Sequence, residues 1–118
     1  MNHPHHRTIV TTLLLGGLLA WNDLAVSAEP VDFQRDVAPI LQKRCLGCHN
    51  GRDRRGGLSL QSAKMMSAGG ESGTVIEARD AESSYLLNLL LPADGVAEMP
   101  KGEPALSTEE ITTIRRWI

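Results

Sequence analysis

Cys45-Leu46-Gly47-Cys48-His49 sets two thiols three positions apart, with an imidazole directly after the second. Two thiols at the end of one helix can reach the two vinyl groups of a single porphyrin, and the adjacent His can swing under the iron as proximal ligand. Cys-x-x-Cys-His is therefore read as an attachment sequence for c-type haem, one per chain. At ordinary residue frequencies the pattern arises by chance in a chain this short on the order of one time in a thousand. Competing chemistries are weaker. A Cys45–Cys48 disulfide closes a very small loop and adds no core. A structural zinc needs four ligands, and beyond residue 28 the only Cys and His are Cys45, Cys48 and His49. A thioredoxin-like pair needs a strand before it, where the sequence here predicts a helix.

The N-terminus decides which other ligands remain. Met1 to Arg7 is a short basic stretch, Ile9 to Trp21 is apolar, and Val26-Ser27-Ala28 offers the small residues of a cleavage site. This is the pattern of a secretory signal peptide, and the apolar run of 13 residues falls short of the roughly 20 that a membrane span needs. Residues 1–28 are read as a signal peptide and 29–118 as the mature domain, exported to the periplasm or cell envelope. Cleavage near Ala28 removes three of the four histidines, so two-histidine ligation within the mature chain is excluded.

Met99 is the candidate distal iron ligand, in a loop between the third and last predicted helices and stiffened by Pro100. Met/His ligation raises a haem's potential and leaves no open position for oxygen chemistry, which suits electron transfer. Met65 and Met66 are rivals by chemistry, in a short turn where core filling is the ordinary role of methionine. Lys101 must lose a proton before it can ligate. Arg52, Arg54 and Arg55 form a basic run that can pair with haem carboxylates, steer an acidic redox partner, or simply be solvated. Phe33, Leu58, Leu60, Tyr85 and Trp117 are read as pocket or helix-contact residues.

The elements that must position these groups are helical. Asp36 is expected to cap a first helix from Val37 to about Arg44, with Pro39 in its first turn. Ser62 caps a short turn through Ser67 that ends at Gly69-Gly70. Thr74 to Ile76 is extended. Tyr85 to Leu91 is a third helix, capped near Asp80 or Ser83, stopped by Pro92 and apolar almost all round. Ser107-Thr108-Glu109-Glu110 is a capping box, with Leu106 and Ile111 as its hydrophobic staple. Ile111, Ile114 and Trp117/Ile118 form the apolar stripe of the last helix. The fold class is all-α, one small domain with long irregular connections of the kind that wrap around something. Only three aromatic residues lie beyond residue 28, and a covalent haem would supply the missing apolar bulk. With 12 basic against 14 acidic residues, non-specific nucleic-acid binding is not expected.

The mature chain resembles the planctomycete-type cytochrome c domain, a branch of the class I cytochrome c fold. The resemblance rests on Val31-Asp32-Phe33-Gln34-Arg35-Asp36-Val37-Ala38-Pro39-Ile40-Leu41 leading into the haem motif, and continues through Gly56-Gly57-Leu58-Ser59-Leu60, Gly69-Gly70-Glu71-Ser72-Gly73, Met99-Pro100-Lys101-Gly102 and Leu106-Ser107-Thr108-Glu109-Glu110-Ile111. It implies first and last helices that cross beside a haem held by Cys45, Cys48 and His49, with Met99 opposite. It also implies a place at the N-terminus of a larger exported protein, and the end at Trp117-Ile118 on an apolar face is read as a truncation. The function expected is a one-electron transfer module, a carrier and not an enzyme, serving an unknown redox protein. The alternatives are a haem sensor or peroxidase-like domain, or the electron-transfer domain of a larger exported enzyme.

Overall fold

A computed structural model describes residues 29–118; the leader expected over 1–28 lies outside the described residues. A π-helical turn, Phe33–Val37, runs directly into α1, Ala38–Arg44; α2 is Ala63–Ala68, α3 Tyr85–Leu90 and α4 Thr108–Trp117. Among the described residues there is no strand, only two isolated bridges at Gly70–Gly73 and Ala93–Val96.

Helical structure starts earlier than the sequence suggests. Asp32, not Asp36, is the N-cap, and its carboxylate accepts from the Arg35 amide at 2.7 Å. Asp36 lies inside the first turn and reaches back to accept from the Asp32 amide at 2.8 Å. Pro39 has no amide to give to the Arg35 carbonyl. The turn before it takes the wider spacing, with the Ala38 amide bonded to the Phe33 carbonyl.

Ser62 caps α2 by accepting from the Met65 amide. Gly69 ends that helix at φ +70°, where a side chain would run into the Gly73 carbonyl. A Cβ on Gly70 would stand 2.7 Å from the Gly56 carbonyl, which accepts from the Glu71 amide at 2.8 Å. The two glycine pairs therefore pack backbone to backbone. Ser84 is the N-cap position of α3, and the caps expected at Asp80 or Ser83 serve the preceding turn instead, where the Asp80 carboxylate accepts from the Ser83 amide. The buried Ser84 hydroxyl is directed away from the helix start. It donates to the Asp80 carbonyl at 2.9 Å and accepts from the Glu77 amide at 2.8 Å. Leu91 is extended at ψ 123°, as a residue before proline prefers. The Ser107/Glu110 capping box forms with both of its bonds.

Two apolar clusters result. Leu86, Leu87 and Leu90 of α3 meet Ile111 and Ile114 of α4, together with Val75 and Leu106. Val37 and Leu41 meet Leu60 and Met66, flanked by Phe33 and Trp117. The Phe33 and Trp117 rings lie 5.2 Å apart, so the ends of the described chain pack together through their aromatic residues. Leu58 and Ile76 touch both clusters.

Candidate haem-binding site

The Cys-x-x-Cys-His segment continues the course of α1 as a helical turn. The amides of Cys45 and Leu46 bond to the Leu41 carbonyl, and those of Cys48 and His49 to the Cys45 carbonyl. Beyond His49 the chain is held by side chain and backbone together. Asn50 accepts from the amides of Arg52 and Asp53 and donates to the Leu46 carbonyl at 2.9 Å. The Leu60 amide bonds to the His49 carbonyl at 2.8 Å. The His49 backbone is thus held between the end of α1 and the Leu58–Leu60 segment.

Cys45, Cys48 and His49 open on a cavity of about 770 Å³, and Met99 lines it too. The Met99 amide bonds to the Leu89 carbonyl at 2.9 Å, so α3 fixes the methionine loop. Arg44 fixes the same loop from the other side, donating to the carbonyls of Pro104 and Ala105. Leu58, Leu60, Leu86, Leu89 and Leu90 supply the apolar wall.

Other residues singled out from sequence fall elsewhere. Met66 is buried in the α1 cluster and Met65 accepts from the Ser59 hydroxyl; neither lines the cavity. Lys101 does line it. Arg55 lines the cavity, whereas Arg52 and Arg54 are exposed and do not. Phe33 and Trp117 make the helix contact. Tyr85 is exposed and does not line the cavity; at the first position of α3 it faces solvent, while Leu86, Leu87 and Leu90 after it are buried. Sequence reading missed the leucines of α3 as cavity wall, together with Lys43 and Glu103, which also line it. The near-continuous apolar run of α3 was the available signal for the former.

Cys45 and Cys48 are both free thiols. Burial pushes the Cys45 thiol up to about 11, against a smaller opposing pull from the Arg44 charge. Among the described residues, no group of three or more His, Cys, Asp or Glu is placed to hold a bare metal ion.

The family model described as Planctomycete cytochrome C matches residues 45–103, from the first thiol to the loop beyond Met99. The chain belongs to this family. No curated protein and no solved structure matches it. Cytochrome c membership implies haem c, and the residues of this cytochrome domain fit that group on three counts. The cavity lies within the roughly 300–1,000 Å³ of small-molecule and cofactor sites and has the mostly apolar lining they need. Its polar lining includes two thiols, an imidazole and a thioether, a donor set suited to covalent attachment and iron ligation. The His49 Nδ1 is buried without a hydrogen-bond partner, an arrangement that is costly unless something else satisfies the ring.

Proposed function

We propose that the domain is an exported one-electron carrier, with haem c joined to Cys45 and Cys48 and its iron held by His49 and Met99. The observation that carries this reading is that Met99, fifty residues beyond His49, shares one cavity with the attachment motif. When bound, the haem supplies an iron that takes up one electron in the ferric state and gives it back from the ferrous state.

The chain's own residues do the rest. Cys45 and Cys48 would hold the cofactor covalently through their sulfurs, as thioethers. His49 and Met99 would hold the iron from the two sides of the cavity they share, which would leave it no position for oxygen or peroxide. The leucines of α3 and the Leu58–Leu60 segment exclude water, which favours the less charged ferrous form and supports a raised potential. Because α1 and α3 each fix part of the ligand set, little rearrangement accompanies the gain or loss of an electron. No helix among the described residues is long and apolar enough to cross a membrane. Function in the periplasm or cell envelope rests on the leader sequence.

The test is the full chain produced by export in a host that matures c-type haem, with visible spectra of both oxidation states. Covalent haem is expected, with the weak charge-transfer band of a thioether on ferric iron. Met99→Ala should keep the haem, lose that band and bind added carbon monoxide. A high-spin wild type that binds carbon monoxide readily would favour the sensor or peroxidase-like reading instead. Persistence of the band in Met99→Ala would take Met99 out of the ligand set.

A further inference from the structure

Asn50 is followed by Gly51, and with no side chain on the next residue an asparagine is least hindered from closing a ring on its own backbone. In that reaction the Gly51 amide nitrogen attacks the Asn50 Cγ to form a five-membered succinimide, and the proton it gives up leaves with ammonia. Water then opens the ring, at the side-chain carbonyl to give aspartate or at the main-chain carbonyl to give isoaspartate, whose backbone runs through the side chain. One water is consumed and one ammonia released, with no oxidant or reductant. Both reacting groups are engaged elsewhere in the fold. The Asn50 Oδ1 accepts from the amides of Arg52 and Asp53 at 2.8 and 2.9 Å, and its Nδ2 donates to the Leu46 carbonyl and the Asp53 carboxylate, both at 2.9 Å. The Gly51 amide donates to the Gln61 Oε1 at 2.7 Å. Ring closure requires the carboxamide to leave its partners and the Gly51 nitrogen to leave Gln61.

We propose that Asn50-Gly51 is a deamidation site held closed by the fold, with Gln61 as its guard. The guard is tied to the cavity wall. The Leu60 amide bonds to the His49 carbonyl at 2.8 Å, so residues 60 and 61 clasp residues 49 and 51 through two successive bonds, and Leu60 itself is buried and lines the cavity. An opening that draws Leu60 from the wall releases both bonds and exposes Asn50 to the reaction. Backbone conformation does not require the glycine, since the φ of Gly51 is not positive. Space does: a Cβ there would stand 2.9 Å from the Gln61 Oε1, so a larger residue would slow the reaction in an open chain but displace the guard. Neither product fits the closed loop. An aspartate in place of Asn50 has no Nδ2 donor and would turn a carboxylate oxygen towards the Asp53 carboxylate and the Leu46 carbonyl. Isoaspartate adds a methylene to the main chain one residue past His49. Deamidation is thus a one-way mark on chains whose loop has opened, and it falls beside the proposed proximal ligand. The inference needs only the fold and does not depend on the electron-transfer reading.

The test incubates the full chain at mildly alkaline pH, folded or in guanidinium chloride, and follows the tryptic peptide Cys45–Arg52, with any haem it carries, by mass spectrometry. Asn50 is the one amide side chain in that peptide. The mass gain of an amide turned to an acid, with labelling by an isoaspartate-specific methyltransferase, reports the reaction there. The folded chain should react at least about tenfold more slowly than the denatured one. Gln61→Ala should speed the folded chain several-fold and leave the denatured rate unchanged, because residue 61 is no sequence neighbour of Asn50. Gln61→Glu, which keeps an oxygen to accept from the Gly51 amide, should restore the protection. Equal rates in the folded and denatured wild type would overturn the proposal, and this comparison holds whatever the variants' stability. A folded rate above the denatured one would overturn it as well, the Arg52 and Asp53 amides then promoting the reaction by stabilising the charge that develops on Oδ1. A folded rate unchanged in Gln61→Ala would overturn the role given to Gln61.

Discussion

Asp36 joins two partners at the start of the helical structure. It accepts from the Asp32 amide, takes two bonds from the Arg35 guanidinium at 2.8 Å, and sits one residue before the buried Val37. The Arg35 bonds, with help from the Asp32 amide, hold the Asp36 carboxyl at about 2, below the usual carboxylate range. A carboxyl whose folded value is depressed stabilises the fold fully above the unfolded value of roughly 4, and this contribution fades as pH falls through about 2. Asp36→Asn should therefore lower the thermal midpoint by a few degrees at pH 7. The gap to wild type should close as the melts are repeated down to about pH 2. A gap that stays constant with pH would mean that the loss is steric. The haem motif was legible at this scale because its chemistry depends on adjacent residues. The cap was not, since the apolar run begins after Asp36, and the choice of Asp32 rests on the wide turn that precedes Pro39.

α3 shows what one helix can do with leucine on nearly every face. Leu87 is fully buried in the cluster shared with α4 and does not line the cavity, whereas Leu89 is half-buried and faces it. Leu87→Ala should cost about 2–5 kcal/mol in chemical denaturation of the haem-loaded protein, as a core cavity does. Leu89→Ala should cost about 1 kcal/mol or less, because less surface is lost. The Leu89 change should instead lower the haem potential by admitting water, read by redox titration. Equal losses of stability, with no shift in potential, would deny α3 its two-faced role. Sequence periodicity announces burial on several sides but does not say which side meets protein and which meets cofactor. The caps of α2 and α4 were legible, because Ser62 and Ser107 act on amides within three residues of themselves.

Across the whole molecule, the cavity lies between two apolar clusters that touch only through partly buried residues. Leu86 and Leu90 on its wall belong to the α3–α4 cluster, Leu60 to the α1 cluster, and Leu58 packs against both. A domain of this size buries a modest fraction of its surface, and a cavity of 770 Å³ at the junction removes much of the contact that would join the halves. The Met99 loop depends on the same closure, because α3 and Arg44 hold it from distant parts of the chain; the sequence offers Met99 by its chemistry, whereas the contacts that bring it to the cavity follow no local pattern. Filling the cavity should thus be what makes the two clusters unfold as one. The chain made without haem attachment should show no single cooperative thermal transition in near-ultraviolet circular dichroism, or melt at least about 20 °C below the haem-loaded form. Far-ultraviolet helical signal should persist where α4 is held by its own capping box. If the haem-free chain melted cooperatively within a few degrees of the loaded one, the two clusters would suffice as a core. The haem would then be a guest in a finished fold, and the shortage of aromatic residues would need another explanation.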